Sequence, residues 1–244
     1  MPKFFVPCEK ITEDEILIDT EDVLHIKRVL RLGEGDIITV CDGRGIDYQA
    51  SIASIEDKQV RCRILSREHA DTEPNIEVTL FQGIPKAAKM DYIIQKTTEL
   101  GIVRIVPCEL SRCVAKIKDQ KKIDRWQKIA KEAAKQSGRG VVPQVESPVS
   151  LDEAIRQMKK YDISFTPYEC EENGTLRTVL TQCPNATQIA FLVGPEGGFD
   201  PMEAEKIRNA GISTITLGRR ILRTETAGEA VLAMVMYELG DINL

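Results

Sequence analysis

The 244-residue chain lacks a long hydrophobic run and a cysteine framework. No apolar stretch approaches the roughly 18 residues needed to cross a bilayer, and the first residues lack the apolar centre of a signal peptide. We therefore expect a soluble, cytoplasmic protein. Its seven cysteines form no C-x-x-C pair and its two histidines are far apart in sequence. We accordingly expect reduced cysteines and no metal site.

Two common nucleotide-binding signatures are also missing. The chain contains neither G-x-G-x-x-G nor G-x-x-x-x-G-K-[ST]. These absences disfavour a nicotinamide-dependent dehydrogenase and a P-loop ATPase, whose phosphate-binding loops require those glycines. A ligand site must therefore be sought in other patterns.

The charge is mildly negative overall, at -5, but it is unevenly distributed. Ten Lys and Arg residues face only three acids between positions 112 and 139. A helix here would carry a basic ridge opposite an apolar face, and such a ridge can steer a polyanion such as RNA. An ordinary solvated helix face is the alternative. The ridge comprises Lys121, Arg125, Lys128, Lys135 and Arg139.

The first 70 residues contain short strand-like runs with no room for crossover helices, which predicts a small antiparallel barrel. One helix is expected after Thr20, with Gly33 as its stop signal. Its basic residues could contact RNA, although a solvent-facing helix would look the same. They are His25, Lys27, Arg28 and Arg31. Residues 67–75 are polar and predict a linker.

Strand-like and helical runs alternate after the linker, which is typical of a parallel sheet with crossover helices. We predict strands at 76–81, 103–106, 163–166, 189–193 and 214–217. The predicted helices are 89–100, 119–136, 151–160, 201–210 and 227–239. Because the last helix has almost no polar face, it must be covered on nearly every side, within the domain or by a second copy.

Two glycine-bearing turns mark the expected ligand site. Gly194-Pro195-Glu196-Gly197-Gly198 follows one predicted strand, and Asp200-Pro201 then begins a helix. A second turn carries Arg219, Arg220 and Arg223 beside Glu225, before a capping-box pattern that begins at Thr226. Both turns lie where strands of a parallel sheet end, so they predict a nucleotide-like ligand and an anionic second substrate. Purely structural turns are the alternative.

At these turns the chain resembles the RsmE family of 16S ribosomal RNA (uridine-N3) methyltransferases, of the SPOUT superfamily. The resemblance also covers residues 25–36, 89–101 and 132–139, and so spans both halves of the chain. It departs at Arg219, where the family pattern leads us to expect a proline. We expect this departure to affect only the local rigidity of that loop.

The resemblance implies an α/β chain with a C-terminal SPOUT-type, trefoil-knotted parallel-sheet methyltransferase domain and an N-terminal PUA-like small β-barrel. The implied RNA-binding barrel covers residues 1–70 and the implied methyltransferase domain residues 75–244. The implied cofactor is S-adenosyl-L-methionine, the implied partner is small-subunit ribosomal RNA or the assembled small subunit, and a homodimer is expected. The cofactor would contact Thr166, Leu192, Gly194, Gly197, Gly198, Leu217, Ile221, Leu222, Arg223 and Thr224.

Methylation of uracil N3 requires alignment of the nitrogen with the donor and loss of its weakly acidic proton. We hypothesise that Arg223 stabilises the developing uracil anion. Glu225 would either orient Arg223 or accept the proton. Paired RNA would first have to be opened, which gives the basic ridge and the barrel a role as RNA clamps, with Lys121, Arg125, Lys128 and Arg139 in contact. A non-enzymatic RNA-binding or ribosome-assembly protein, or an enzyme acting on another RNA, remains the alternative.

Overall fold

The computed structural model of the chain describes residues 3–114, 117 and 119–242. The chain forms two compact units. Unit 1 comprises Met1–Glu73 with Ala134–Val142, and unit 2 comprises Pro74–Ala133 with Pro143–Leu244.

Unit 1 is built on a five-stranded sheet with strands β1 (Lys3–Phe5), β2 (Glu15–Ile18), β3 (Ile37–Cys41), β4 (Ile46–Ile55) and β5 (Val60–His69). Their order in the sheet is β1-β3-β4-β5-β2. Most pairs are antiparallel, as predicted, but β1 runs parallel to β3, so the sheet is mixed. Alternate strand residues fill one core that includes Phe4, Ile16, Ile38 and Ile52.

Two boundaries in unit 1 differ from the predictions. The residues expected to start a linker at Arg67 continue β5, because they pair with β4 as far as His69 opposite Ile46. The expected helix consists of α1 (Asp22–Leu24) and a π-helical turn, His25–Leu30. That turn ends at Arg31, which has φ 54°, and not at Gly33. A 3-10 turn also forms at Cys8–Lys10.

Unit 2 contains a parallel sheet with strands β6 (Glu77–Gly83), β7 (Arg104–Glu109), β8 (Gln144–Val145), β9 (Val149–Ser150), β10 (Ile163–Pro167), β11 (Gln188–Val193) and β12 (Ser213–Ile215). Their order is β12-β10-β11-β6-β7-β8, with β9 also paired to β7. The five predicted strands are all present. Only β8 and β9 were not predicted, because two residues are too few to show a periodicity.

Helices cover both faces of this sheet. They are α2 (Lys89–Glu99), α3 (Gln120–Ser137), α4 (Leu151–Met158), α5 (Leu176–Thr181), α6 (Pro201–Asn209) and α7 (Thr224–Glu238). Leu80 and Phe81 belong to different cores, because successive strand residues point to opposite faces. The core on one face takes residues from α2, α3, α5 and α7, and the core on the other face from α4 and α6. Helix α5 was not predicted.

Side chains cap the starts of two helices, and the second of these starts was predicted from Asp200-Pro201. The Ser150 side chain accepts the amide hydrogen of Glu153 at the start of α4. Asp200 and Glu203 form a capping box at α6, with Pro201 as its first residue. The capping box expected at Thr226 is wrong, because α7 already begins at Thr224 and has Arg223 as its N-cap.

Candidate functional site

Parallel strands bring the two glycine-bearing turns to the same edge of the unit 2 sheet. The first turn (residues 194–199) follows β11, and the second turn (residues 216–223) follows β12. Between them, residues after β10 complete a pocket of about 600 Å³. That volume suits a nucleotide-sized ligand. Apart from the two turns, the pocket is lined by Lys89, Pro167, Tyr168, Glu169, Val193, Thr224 and Ala227.

The first turn is tightly braced. A Cβ at Gly83 would lie 2.7 Å from Pro195 Cδ and 2.8 Å from Pro195 N, so the end of β6 can approach the turn only as glycine. Arg112 Nη1 donates a 2.7 Å hydrogen bond to Gly197 O. Gly198 has φ +66°, a left-handed conformation that glycine adopts freely. These contacts fix the turn before any ligand binds.

The second turn is open by comparison. Arg219, Arg220 and Arg223 are exposed, and Ile221 is 86% exposed. The Arg223 guanidinium has no hydrogen bond or ion pair within the described part of the chain. An exposed, unpaired guanidinium beside a pocket is available to an anionic group.

A buried relay of hydrogen bonds joins the two turns. Thr224 Oγ1 donates to Gly194 O at 2.7 Å and accepts from Gln82 Nε2 at 2.9 Å. Gln82 Nε2 also donates to Gly83 O at 2.9 Å. Gln82 is fully buried and Thr224 is 5% exposed. The start of α7 is thereby tied to the first turn from inside the protein.

An ion cluster joins the turns at the pocket surface. Lys89 Nζ lies 3.3 Å from Glu196 Oε1 and 3.2 Å from Glu225 Oε2. Desolvation lowers the pKa of the Lys89 ammonium, but the two carboxylates outweigh it and raise that pKa above its ordinary value. Desolvation raises the pKa of Glu196, but bonds from its own amide, the Lys86 amide and Lys89 bring that pKa below its ordinary value. Lys89 and Glu196 therefore stay ionised at neutral pH.

The structure brings together most of the residues predicted for the pocket. Thr166 and Leu192 lie just behind its wall: both are buried, and the Thr166 hydroxyl donates to Leu192 O. Glu225 contacts Lys89, and no bond to Arg223 is found among the residues described. The predicted residues that line the pocket are Gly194, Gly197, Gly198, Leu217, Ile221, Leu222, Arg223 and Thr224.

Sequence reasoning missed Gln82, Lys89, Arg112 and Glu169. Gln82 had a detectable signal, since it is a polar residue that directly follows the apolar pair Leu80-Phe81 of its strand. Lys89 and Arg112 carried none, because the first contacts a carboxylate 136 positions away and the second a carbonyl 85 positions away. Contacts between residues so far apart in the sequence can be identified only when the order of the strands in the sheet is known.

The basic residues predicted in unit 1 differ in their surroundings. His25 packs its ring at 6.2 Å from the ring of Phe4, and Lys27 pairs with Asp57. Arg28 and Arg31 are exposed. The exposed pair is the more available for contact with a polyanion.

The basic ridge is confirmed as a helix face only in part. Lys121 and Lys128 are exposed on α3, whereas Arg125 pairs with Asp91. Arg139 does not belong to the exposed helix face, contrary to the prediction. It lies beyond the end of α3, is 3% exposed and pairs with Glu73. A guanidinium buried in that way cannot contact RNA without unpairing Glu73.

The described residues contain no group of three or more His, Cys, Asp and Glu residues placed to hold a metal ion. None of their helices is both long enough and apolar enough to span a membrane.

Known proteins resemble the chain along its whole length. The family model of an RNA methyltransferase domain matches residues 72–236, and that of an RNA methyltransferase PUA domain matches residues 18–65. The ribosomal RNA small subunit methyltransferase E of Bacillus subtilis is 34% identical over 248 residues, which cover 98% of this chain and 97% of that relative.

Solved structures show the same likeness. The crystal structure of ribosomal RNA small subunit methyltransferase E from Neisseria gonorrhoeae, bound to S-adenosyl methionine, has a TM-score of 0.89 at 33% identity and covers 99% of each chain. A Legionella pneumophila protein solved with bound SAM has a TM-score of 0.87 at 31% identity, again over 99% of each chain.

Proposed function

The chain belongs to the ribosomal RNA small subunit methyltransferase E family, and from this premise we propose that it methylates N3 of a uridine in 16S ribosomal RNA with S-adenosylmethionine as donor. The observation that carries the proposal is the pocket of about 600 Å³ between two glycine-bearing turns. It belongs to a chain that matches a cofactor-bound family member over 99% of its length.

The residues present suit that cofactor. The lining combines glycine backbone for close approach, apolar surface from Leu217, Ile221 and Leu222, and carboxylates that can accept from hydroxyl and amino groups. When bound, the cofactor supplies a methyl group already activated on a positively charged sulfur. We expect the two turns to hold it, through Gly194, Gly197 and Gly198 on one side and residues 217–223 with Thr224 on the other. Thr166 and Leu192 support the wall from behind.

Arg223 and Glu225 are the residues to which we assign the chemistry. Uracil N3 becomes a good nucleophile when it loses its proton, and negative charge then spreads onto the base. The unpaired Arg223 guanidinium can stabilise that charge. Glu225 contacts Lys89 and not Arg223, which favours the role of proton acceptor over that of orienting Arg223. Lys89 Nζ lies 3.2 Å from Glu225 Oε2 and holds that carboxylate beside the pocket.

RNA is expected to contact exposed cations in both parts of the chain. We assign RNA recognition to the barrel of residues 1–70, through Arg28 and Arg31 with neighbouring His25 and Lys27. Within the methyltransferase domain of residues 75–244, we assign it to Lys121 and Lys128, with Arg125 available if it exchanges Asp91 for a phosphate. Since ribosomal subunits are the substrate, we expect a cytoplasmic enzyme.

A homodimer accounts for the surface of α7. Val231, Leu232 and Val235 are buried in unit 2, whereas Met234 is 42% exposed and Tyr237 is 58% exposed. These two residues border an apolar groove of about 460 Å³ that also includes Leu176, Leu180 and Ile242. A second copy would remove this surface from water, at a gain of about 25 cal/mol per Å². Sedimentation of the purified chain tests the assignment, and a strictly monomeric species would exclude it.

The decisive experiment is transfer of a labelled methyl group. Small subunits from a strain lacking this enzyme are incubated with the protein and methyl-labelled S-adenosylmethionine, and the modified base is mapped by mass spectrometry. We expect one N3-methyluridine in 16S RNA and none in large subunits, which serve as control. A label on ribose or in another RNA would refute the assigned target. If calorimetry also detected no cofactor binding, a non-enzymatic RNA-binding protein would be the better interpretation.

A further inference from the structure

We propose that Gln82 is a positioning residue for the cofactor pocket, acting through the Thr224 hydroxyl. The inference rests on the proposed function only in taking S-adenosylmethionine as the ligand. Gln82 is the penultimate residue of the buried strand β6 and lies behind the pocket wall, whereas Gly194 and Thr224 both form that wall. The side chain therefore acts on the pocket without touching the ligand.

The direction of each hydrogen bond in the relay is determined by chemistry. Gly83 O can only accept, so the Gln82 side-chain atom 2.9 Å from it must be the amide nitrogen. The same nitrogen lies 2.9 Å from Thr224 Oγ1, which must therefore accept. Thr224 has one hydroxyl proton, and it goes to Gly194 O at 2.7 Å. Gln82 thus sets the orientation of the Thr224 hydroxyl.

This orientation limits what Thr224 can offer a ligand. Its proton is already used by Gly194, so the hydroxyl has no hydrogen to donate into the pocket. Its contribution to cofactor binding is instead geometric, since it holds the first residue of α7 against the first turn. The spacing between the two pocket walls then depends on a bond buried from water, where hydrogen bonds are strong and well aligned.

The unpaired oxygen of the Gln82 side chain indicates that its amide nitrogen has a role as a hydrogen-bond donor. Gln82 Oε1 is buried and has no hydrogen-bond partner in the structure as described. An unpaired buried acceptor is unfavourable, so an apolar side chain of similar length would avoid a penalty that glutamine incurs. Packing alone does not account for glutamine at this position. The hydrogen that it donates to Thr224 does.

The test compares cofactor affinity with thermal stability. Gln82→Met keeps the length of the side chain and removes the donor, and Thr224→Val keeps the shape and removes the hydroxyl. We expect each to weaken S-adenosylmethionine binding about tenfold by calorimetry, the effect of losing one buried hydrogen bond. Thr224→Ser retains the hydroxyl and should bind within about threefold of wild type, as rescue of the relay requires. In the double variant Gln82→Met/Thr224→Val, the loss of affinity should stay near tenfold and not reach the product of the two single losses, because both substitutions break the same relay.

Thr97→Val is the matched control. Thr97 is also fully buried, and its hydroxyl also donates a 2.7 Å hydrogen bond to a backbone carbonyl, that of Ile93 within α2. It should lower the melting temperature at least as much as Gln82→Met and leave cofactor affinity unchanged.

Three results would overturn the proposal. Gln82→Met and Thr224→Val could both bind S-adenosylmethionine with wild-type affinity, or Thr97→Val could weaken binding as much as they do. In the third, the loss of affinity in the double variant would equal the product of the two single losses. If Gln82→Met did not fold, Thr224→Val and Thr224→Ser would still decide between the relay and a passive core. Failure of the proposed function has a different signature, since wild-type protein would then bind no S-adenosylmethionine.

Discussion

The two glycine-bearing turns occupy equivalent places at one sheet edge, yet they are built in opposite ways. The first turn is packed against Gly83, bonded by Arg112 and followed by the complete capping box of α6. The second turn exposes three arginines and an isoleucine, and no side chain caps the helix that follows it. One wall of the pocket is thus rigid before binding, and the other has surface left to cover.

This difference separates two tasks that a methyl-transfer enzyme must perform. The donor needs a preorganised cradle, because alignment of reacting atoms supplies much of the rate. The incoming nucleotide is large and charged and has to enter and leave, which suits an open wall with cations. The comparison thus predicts that changes in the first turn affect the fold and the cofactor, whereas changes in the second affect RNA and the chemical step.

The largest effect is expected from Gly83→Ala. The added methyl group would lie 2.7–2.9 Å from Pro195 and Leu110, two of these contacts being with the proline ring and its nitrogen, which cannot swing aside. Overpacking of this kind costs about 1–3 kcal/mol of unfolding free energy, and we expect calorimetry to detect no cofactor binding.

Gly218→Ala in the second turn is its control. Gly218 has φ +91° but no atom within 4 Å of a built Cβ, so only backbone strain of about 1 kcal/mol is expected. If Gly83→Ala and Gly218→Ala both abolished cofactor binding, the first turn could not be called rigid and the second open.

Arg223→Ala should have the next largest effect. Removing a group that stabilises charge in the transition state lowers kcat by about 10²–10³-fold, so single-turnover methylation at saturating cofactor should slow by that factor. Arg220→Ala is the matched control, since it removes an exposed guanidinium three positions earlier in the same turn. Unchanged single-turnover rates in Arg223→Ala would refute the assignment.

Features of the two turns could be predicted from the sequence where they depend on neighbouring residues. The first turn was identified from its glycines and from Asp200-Pro201, because backbone freedom and helix capping are determined by residues close together in the chain. The start of α7 was misplaced by three residues, because Thr226 and Glu229 matched a capping pattern while Thr224 is held by Gln82, 142 positions away.

Long-range pairing also explains the errors at the basic residues. Helical periodicity placed Lys121 and Lys128 on an exposed face, and the structure agrees. The predicted helix, 119–136, ends within one residue of α3, but periodicity could not indicate that Glu73 takes Arg139 into a buried pair. Periodicity describes a face of one helix, whereas burial of a charge depends on a partner from elsewhere in the chain.

Lys89→Met tests the ion cluster that connects the two turns. The substitution removes the cation that positions the Glu225 carboxylate beside the pocket, so we expect kcat to fall roughly tenfold at neutral pH through misalignment of the proton acceptor. Lys89→Arg keeps the charge and should restore most of the rate. Unfolding free energy should change little, since partly exposed ion pairs contribute about 0–1 kcal/mol.

The pH dependence of the same variant has a definite sign. The pKa of Glu196 is lowered on folding, so its contribution to stability is present above its unfolded value of 4.5 and disappears as pH falls through the folded pKa. Lys89→Met should move that loss to higher pH. The raised pKa of Lys89 acts at the other end: its contribution is present below 10.5 and disappears as pH rises through the folded pKa. Melting curves across pH measure both, and identical acid limbs in wild type and variant would exclude the coupling.

The smallest effects are expected in RNA binding, where each exposed cation contributes separately. The slope of log K against log salt should fall by about 0.7–0.9 for each RNA phosphate that the protein no longer neutralises. Arg219→Glu/Arg220→Glu in the second turn and Lys121→Glu/Lys128→Glu on α3 should each reduce that slope by about 1.5. Lys159→Glu/Lys160→Glu makes a similar charge change at exposed residues that follow α4, whose core lies on the other sheet face from that of α3. If the slope fell equally in all three double variants, RNA binding would depend only on the net charge of the protein. The second turn would then be exposed but would not be an RNA-binding surface.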